Sequence, residues 1–459
     1  MGDRWSRRDF LATGSALLAA GCSDTSRPVP DEDAPNILLI TLDDLGWKTL
    51  PRYGNPNIET PTIDRIADAG AVFTRAFNAS SSCSSSRASI VTGSHLSHHG
   101  VNGLVHRHPG ANLSPSVVTL ADRLWAGGYH TAHYGKWHVS EESPRHFGYA
   151  ENLNPNGTNN EPIETAEEIL AFLERRGERH FYLELNFLAT HLRPDGTFPN
   201  DPQFHVDPDE VELLPVWTMP NWEPVVAMAA AYFSQVRRVD AILGEVVERL
   251  EALGVADRTL IVITSDNGAP FPGNKHTLFD RGIGTPLIVS WPDGFVGGQV
   301  HDGLRSNVDL APTLTEAAKV APMPQADGRS FLDLLQGRPH SHDDAIFAAI
   351  DFHDDYTPLR ALRDDRYKLI LSYGDTPIGL GQLDDAVWAQ RLAELPNQPW
   401  TLPLPPVSLY DLEADPNEQS NLVFEPDYED VLHDLHARLQ SRLESLDDAM
   451  AGVLLPPFV

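Results

Sequence analysis

Two short apolar segments, NILLITL at Asn36–Leu42 and TLIVIT at Thr259–Thr264, constrain the fold of this chain most strongly. Continuous apolar runs are typical of strands buried on both faces, as in the parallel sheet of an α/β protein. Each run is closely followed by polar side chains that can bind a ligand, namely Asp43, Asp44, Asp266 and Asn267. Because active sites of open α/β sheets lie at the carboxyl ends of the strands, we expect these four side chains to lie together.

Amphipathic segments alternate with the apolar runs and predict helices. In the longest segment, apolar residues recur at spacings of three and four over several turns. Strands that alternate with helices favour a parallel sheet with right-handed crossovers. The sequence therefore predicts an α/β fold over residues 35–340, with a large, mainly parallel sheet sandwiched by helices. The predicted helices are Thr62–Ala69, Ser116–Ala126, Glu164–Arg176 and Ala227–Leu253.

The C-terminal part, residues 341–459, has a different pattern. Several short segments with strand character precede one amphipathic segment, which predicts a smaller antiparallel sheet with a helix against it. The predicted strands are Ala345–Phe352, Arg360–Arg363, Tyr367–Ser372 and Val407–Leu412, and the predicted helix is Glu429–Leu446. Two irregular stretches, Arg193–Pro224 and Pro396–Pro406, are interpreted as covers over a substrate cleft.

Residues 1–34 are predicted to be an export segment and tether rather than part of the fold. Ser6–Leu11 has the sequence SRRDFL, which matches a twin-arginine signal, and the apolar run Phe10–Ala20 is too short to span a bilayer. The run ends in AAGC, close to a lipoprotein cleavage box. We therefore expect twin-arginine export to the cell surface, with either a lipid anchor at Cys22 or an ordinary signal peptide and an incidental cysteine.

Charge and cysteine content exclude several classes of protein. The 459 residues include 65 Asp and Glu against 34 Lys and Arg, a formal net charge of −31. Such a field repels nucleic acids and anionic membranes, so no nucleic-acid partner is expected. Two cysteines cannot build a disulfide framework or a thiolate zinc site. Only five of the basic residues are lysines, a composition that resembles proteins adapted to concentrated salt.

The four polar side chains after the apolar runs have the chemistry of a metal site. Oxygen ligands without histidine or thiolate suit Ca²⁺ or Mg²⁺ rather than zinc. In the alternative interpretation, Asp43 and Asp44 cap a helix and Asp266 and Asn267 belong to a plain turn. A separate histidine group is interpreted as a polar loop rather than a zinc site; its members are His95, His98, His99, His106 and His108.

The segment around Cys83 resembles the active-site signature of the sulfatase family. Residues 80–89 are SSSCSSSRAS, and further segments match the family in order from about residue 35 to residue 425. These segments are HGV at 99–101, GKWH at 135–138, TPLIV at 285–289, RDDRYKL at 363–369 and LYDL at 409–412. The resemblance implies the alkaline-phosphatase-like sulfatase fold. Within the family, the loop SDNGAPFPGNK at 265–275 is most similar to the sulfamidases, the N-sulfoglucosamine sulfohydrolases.

The resemblance also implies a role for each matched residue. Asp43, Asp44, Asp266 and Asn267 would hold calcium, with Mg²⁺ the second choice. The implied catalytic residues are Cys83, oxidised to formylglycine; Arg87, one helical turn on; Lys136 and Lys275, on the sulfate oxygens; and His138 and His191, which transfer protons. The alternative is that the lysines lie on the surface and the histidines in the core or on the surface. A chain that keeps only five lysines yet has two in matched motifs favours a role for them.

One residue departs from the family signature, because Ser85 stands where the family has proline or alanine. The maturation enzyme that generates formylglycine recognises this position, so Ser85 bears on whether Cys83 is converted. Three functions stay open. The first is a formylglycine sulfatase acting on a sulfated glycan, including an N-sulfated amino sugar. The second is a phosphoester hydrolase of the same superfamily, and the third is a catalytically silent protein that binds calcium and sulfated polymer.

The charge composition predicts that salt stabilises this protein. Melting temperature should climb steeply from low to molar KCl, because 31 excess negative charges repel one another in dilute buffer and are screened in brine. Scanning calorimetry across a KCl series measures the effect, and a sorbitol series of matched osmolality separates screening from osmotic stabilisation. A flat or falling curve in KCl would exclude salt adaptation.

Overall fold

The computed structural model describes residues 28–456 except 109, 154–163, 194, 342–343, 354 and 376–402. The predicted twin-arginine signal, Cys22 and most of the Pro396–Pro406 stretch lie outside the described residues. Export and anchoring therefore stay predictions. Within the described ranges, no helix combines the length and the apolar character needed to cross a membrane.

A large, mostly parallel sheet confirms the predicted fold class. Its strands are β1 (Asn36–Leu42), β2 (Ala71–Phe77), β3 (His130–Gly135), β4 (Glu151–Asn152), β5 (Phe181–Phe187), β6 (Thr259–Ser265), β7 (Gly284–Ser290), β8 (Gln299–His301) and β9 (Arg305–Ser306). They lie in the order β4-β3-β5-β1-β6-β7-β2-β8, and β9 also pairs with β2. Strand β7 is antiparallel to β6 and β2, and the other described pairs of this sheet are parallel.

Strand β1 lies at the centre of this sheet and is buried along its whole length. It pairs in parallel with β5 and with β6, so that Leu42 lies opposite both Phe187 and Ser265. All residues of β5 and β6 are also buried, which explains the continuous apolar run at β6. Because the three strands end at one level, the polar residues that follow β1 and β6 meet at the same edge of the sheet.

Helices cover both faces of the large sheet. Alternate residues of β1 point to opposite faces, as the strand period requires: Leu38 and Ile40 belong to one core cluster, and Ile37 and Leu39 belong to the other. The first cluster includes α1 (Pro61–Asp68), α5 (Glu167–Arg175) and α6 (Glu223–Ala252). The second includes α2 (Cys83–Thr92), α4 (Leu120–Ala126), α8 (Leu310–Ala317) and α9 (Leu332–Leu335). The remaining short helices are α3 (Leu96–His99) and α7 (Asp280–Ile283).

Three predicted helix starts are wrong by three or four residues. The helix predicted from Ser116 begins at Leu120, because Thr119 and Asp122 form a capping box in which each side chain accepts the other's backbone N–H. The helix predicted from Glu164 begins at Glu167, because the Glu164 carboxylate instead accepts the backbone N–H groups of residues 188 and 189. Helix α6 extends four residues beyond its predicted start, with Pro224 in the first turn, where proline is tolerated.

The smaller antiparallel sheet is confirmed as well. It consists of β10 (Ala345–Phe352), β11 (Tyr356–Asp364), β12 (Tyr367–Ser372) and β13 (Val407–Asp411) in that order. Helix α10 (Glu429–Ser445) packs on one face through four leucines, Leu432, Leu435, Leu439 and Leu443. The domain boundary at residue 341 stays a prediction. The described part of Arg193–Pro224 has an irregular course with short 3₁₀ turns up to Trp222, as predicted, and its last two residues begin α6. Its Trp217 ring packs 4.4 Å from that of Phe271, and its role as a cover over a cleft stays a prediction.

A buried ion cluster joins the small sheet to the large part of the chain. Lys368, in β12, is fully buried, and its ammonium group contacts the carboxylates of Asp280 and Glu418. Burial alone would raise the pKa of Asp280, yet Lys368 and Arg363 together lower it to about 2. Asp280 begins α7, which directly follows the loop that carries Lys275. The cluster therefore fixes this loop against the small sheet.

Removing the cation of this cluster should destabilise the protein severely. We predict that Lys368→Met lowers the free energy of unfolding by about 3–5 kcal/mol, because two carboxylates are left buried with too little positive charge. Urea unfolding followed by circular dichroism measures the loss. Lys319→Met is the matched control, since Lys319 is half-exposed and pairs with Asp31 on the surface. Equal behaviour of the two variants would contradict a structural role for the cluster.

Candidate active site

The ten side chains predicted for the site converge at one edge of the large sheet. Asp43 and Asp44 follow β1 directly, and neither caps a helix. The Asp44 backbone has a φ of 62°, an uncommon left-handed conformation for a residue other than glycine. It is fixed from both sides, because the Asp44 N–H donates to Asp266 Oδ1 over 3.0 Å and its carbonyl accepts from the Tyr232 hydroxyl over 2.9 Å.

Asp266 and Asn267 are held beside them by the turn after β6. The Ser265 hydroxyl donates to the Leu42 carbonyl over 2.7 Å and accepts from the Leu45 N–H, which joins the ends of the two strands. Gly268 has no room for a side chain, because a Cβ atom there would lie 2.0 Å from the carbonyl oxygen of residue 281. The Asn267 side chain donates to Asp44 Oδ1 over 2.7 Å. The four predicted metal ligands are thus brought into one cluster.

Cys83 is the first residue of α2, and the ten residues of this helix are all buried. Its sulfur atom lies 3.4 Å from Asn267 Oδ1 and 3.8 Å from Asp43 Oδ1. One turn further on, Arg87 Nε donates to Asp266 Oδ2 over 2.8 Å and Nη2 donates to Asp43 Oδ2 over 3.1 Å. The helix therefore carries both the predicted nucleophile and a cation that bridges two carboxylates.

Both predicted lysines lie inside the site, which excludes the alternative that they are surface residues. Lys136 Nζ lies 2.6 Å from Asp43 Oδ2 as an ion pair, and Lys275 Nζ lies 2.8 Å from Asp44 Oδ1. Lys136 follows Gly135, whose φ of 85° and lack of a side chain let the chain pass within contact of the Asn186 carbonyl. Each lysine is 5% exposed.

The two predicted histidines adjoin these charges. His191 is buried, and its Nε2 lies 4.0 Å from Asp44 Oδ2. His138 is partly exposed, has a left-handed φ of 56°, and shares a hydrogen bond of 2.9 Å between its Nε2 and His106 Nδ1. Burial first, and Lys136 second, hold the pKa of both histidines well below the usual range. Both imidazoles are therefore neutral near pH 7.

The site contains three carboxylates and three permanent cations, so its formal charge is balanced in the absence of a metal. Burial alone would raise the pKa of Asp43, but Lys136 and Arg87 keep it well below its usual range. Burial raises the pKa of Asp44 to about 7 against the opposing charge of Lys275. Burial also raises the pKa of Cys83 to about 12, so its thiol is protonated and a poor nucleophile at neutral pH.

The donor set fits a divalent cation. Within the described ranges, Asp43, Asp44, Cys83 and His191 form a group whose possible ligand atoms lie within 4.8 Å of one another. The amide oxygen of Asn267 and one carboxylate oxygen of Asp43 both face the sulfur position. This group includes Cys83 and His191 and omits Asp266, which differs from the prediction of four oxygen ligands. Its two carboxylates and the nearby Asn267 amide still offer oxygen ligands, which suit a hard cation. A divalent ion would give the centre two excess positive charges, which favours an anionic group beside residue 83.

The histidine group at residues 95–108 does not converge on one point. Its members bind different partners: Arg442 for His95, Asp327 for His98, Ser89 for His99, His138 for His106 and the carbonyl of His353 for His108. Two other histidines, His276 and His353, contact Ser81 and Ser82 next to Cys83 and were not predicted. His276 was detectable as the neighbour of Lys275, whereas His353 comes from the small sheet and no local signal in the sequence identifies it.

Two family models and a human relative match this chain. The family model described as "Sulfatase" matches residues 35–320, and that described as "N-sulphoglucosamine sulphohydrolase, C-terminal" matches residues 273–380. The human N-sulphoglucosamine sulphohydrolase is 30% identical over 88% of this chain and 89% of its own length.

Solved structures show the same fold. One, in complex with its substrate D-glucosamine-2-N,6-O-disulfate, has a TM-score of 0.70 at 20% identity and covers 91% of this chain and 99% of its own. The phosphonate monoester hydrolase of Agrobacterium radiobacter has a TM-score of 0.69 at 22% identity, with coverage of 90% and 96%.

The metal cluster can be tested by calorimetry. We predict that Asp266→Asn weakens calcium binding at least about tenfold, because the cluster loses one of its three negative charges. Isothermal titration of the chelator-treated protein measures the affinity. Asp240→Asn is the control, since Asp240 is also a buried carboxylate but accepts the backbone N–H groups of Thr62 and Ile63 away from the site. Unchanged calcium affinity in Asp266→Asn would remove Asp266 from the metal site.

Proposed function

Because this chain belongs to the sulfatase family, we propose that it hydrolyses a sulfate ester or sulfamate of a sulfated sugar, with calcium and a formylglycine made from Cys83. The family identifies the chain as a sulfatase. The substrate class is supported by the name of the human relative and by the disulfated glucosamine bound to a protein of the same fold.

The observation that carries this proposal is the set of charges around residue 83. One carboxylate oxygen and one amide oxygen lie 3.8 Å and 3.4 Å from the Cys83 sulfur, and three buried cations pair with the neighbouring carboxylates. Lys136 and Lys275 are the positive charges that act most strongly on Cys83. A site with this arrangement can neutralise the oxygens of a sulfate group while a hydroxyl at residue 83 attacks sulfur.

The residues of the chain have separable tasks. When bound, calcium would polarise a sulfate oxygen and lower the pKa of the attacking hydroxyl. Formylglycine would supply that hydroxyl as its hydrate, a group that the thiol cannot replace. Arg87 fixes Asp43 and Asp266 and braces residue 83 from the next helical turn. Lys136 and Lys275 neutralise the sulfate oxygens.

Proton transfer falls to His138 and His191. Both are neutral and can accept a proton, and His138 Nδ1 has no hydrogen-bond partner among the described residues. One histidine would take the proton of the attacking hydroxyl. The other, neutral at rest, would take up a proton from solvent and pass it to the departing oxygen or nitrogen of the sugar. The second hydroxyl of the hydrate would then lose its proton and expel sulfate, which restores the aldehyde.

Conversion of Cys83 must precede burial of its segment. Cys83 and Ser85 are each 1% exposed, so no enzyme can reach them in the folded protein. We propose that the maturation enzyme binds residues 80–89 while they are still extended and that it tolerates Ser85. Twin-arginine export, which carries folded proteins, is compatible with this order of events.

Mass spectrometry of the peptide that contains Cys83 tests this proposal. In protein from the native host, we expect residue 83 to have lost one sulfur and two hydrogens and gained one oxygen. Activity should be high on D-glucosamine-2-N-sulfate or 4-nitrophenyl sulfate and low on 4-nitrophenyl phosphate. Protein made in a host without the maturation enzyme should carry the thiol and be inactive. In a heterologous host that has a maturation enzyme, Ser85→Pro should raise the aldehyde fraction, and activity should rise in proportion.

Other results would select other functions. Greater activity on the phosphate would favour a phosphoester hydrolase. The phosphonate monoester hydrolase described above has the same fold as this chain. A thiol in native protein that is inactive but binds sulfated glycan would favour the silent binding protein. A fully reduced thiol in native protein that hydrolyses sulfate would overturn the mechanism.

A further inference from the structure

Two histidines from distant parts of the chain meet against the segment that carries Cys83. His276 follows Lys275, and its backbone N–H donates to the Ser81 carbonyl over 3.3 Å. His353 follows β10 in the small sheet, and its Nδ1 lies 3.2 Å from the Ser82 hydroxyl. The two imidazole rings face each other with their centroids 3.5 Å apart. The pair therefore adjoins both the nucleophile position and a lysine assigned to the sulfate.

Each ring leaves one nitrogen without a partner. His276 is 8% exposed and His353 is 2% exposed, and within the described residues neither Nε2 has a hydrogen bond. An unsatisfied buried polar atom costs about 1–3 kcal/mol. His276 also has a φ of 71°, a left-handed conformation that costs on the order of 1–3 kcal/mol for a residue other than glycine. Unfavourable terms of this kind concentrate where a ligand satisfies them.

The charge state of the pair restricts the ligand. Burial, followed by Lys275, holds the pKa of His276 well below its usual range. Burial, followed by His276 and Lys275, does the same to the pKa of His353. A neutral imidazole offers one N–H donor and one acceptor nitrogen, which suits an uncharged hydroxyl. The sulfate group itself needs positive charge, which the lysines provide.

We propose that His276 and His353 form a subsite for a sugar hydroxyl next to the scissile sulfate. This inference rests on the proposed function and adds residues that determine specificity for a sugar over other sulfates. An aryl sulfate has no hydroxyl to occupy the subsite. The pair should therefore contribute to turnover of sugar sulfates and be dispensable for aryl sulfates.

The test compares two substrates in the converted enzyme. His276→Phe keeps a ring against His353 but removes both nitrogens. We expect kcat/KM for D-glucosamine-2-N-sulfate to fall about tenfold or more, which corresponds to loss of one buried hydrogen bond. The kcat/KM for 4-nitrophenyl sulfate should change less than about twofold. His276→Gln, which retains polar atoms, should recover part of the sugar activity.

The controls separate this subsite from the chemistry. His205→Phe alters an exposed histidine and should leave both substrates unaffected. The aldehyde fraction at residue 83 and the melting temperature are measured for each variant, so that rates refer to converted, folded enzyme. Equal loss on both substrates, or no loss on either, would overturn the subsite while the proposed function stands. If wild-type converted enzyme cleaves neither sulfate, the proposed function fails and the subsite fails with it.

Discussion

The guanidinium group of Arg87 holds together the strand ends on which the site is built. It contacts Asp43 after β1 and Asp266 after β6, and its Nη1 donates to the Lys136 carbonyl after β3 over 3.3 Å. Three carboxylates buried at one edge of a sheet would repel one another unless cations lay between them. Arg87 lies one turn after Cys83 because α2 begins at Cys83. One helix therefore positions both the proposed nucleophile and the positive charge that stabilises the carboxylates around it.

The two lysines of the site also serve to neutralise buried carboxylates. Lys136 and Lys275 each lie on one of the adjacent aspartates, and the pKa of Asp44 is nevertheless raised to about 7 by burial. The Asp44 carboxylate is therefore close to the limit of what the local cations can stabilise, whereas Asp43 is well stabilised by Lys136 and Arg87. A divalent ion would bind these carboxylates in place of the lysines, so that the ammonium groups could contact an anionic substrate. Binding of the proposed metal ion and of an anionic substrate would therefore be electrostatically coupled.

The sequence was most informative where burial is complete and the polar residues are adjacent. Strands β1 and β6 could be predicted from unbroken apolar runs, and the four polar residues after them from their place at the strand ends. The other six residues of the cluster could be predicted from family motifs. Strand β3 could not, because its sequence HTAHYG is polar although all six residues are buried. Helix α2 shows no apolar stripe, because its serines form hydrogen bonds with neighbouring polar groups. The Ser84 hydroxyl accepts from the Val105 N–H, the Ser86 hydroxyl accepts from the Asn307 side chain, and the Ser89 hydroxyl bonds to His99. The antiparallel direction of β7 and the position of His353 next to Ser82 depend on tertiary packing, which local sequence patterns cannot predict.

The contact between Ser82 and His353 also determines how early the segment around residue 82 can be covered during synthesis. The two residues are separated by 271 positions, and the cover over residue 82 includes a strand made late in translation. At about 5–20 residues per second, the ribosome needs on the order of 15–50 s to make that distance. Throughout this interval the serine-rich segment lacks its final cover. The late position of His353 in the chain, rather than any moving part of the finished protein, would give the proposed maturation enzyme time to reach residue 83.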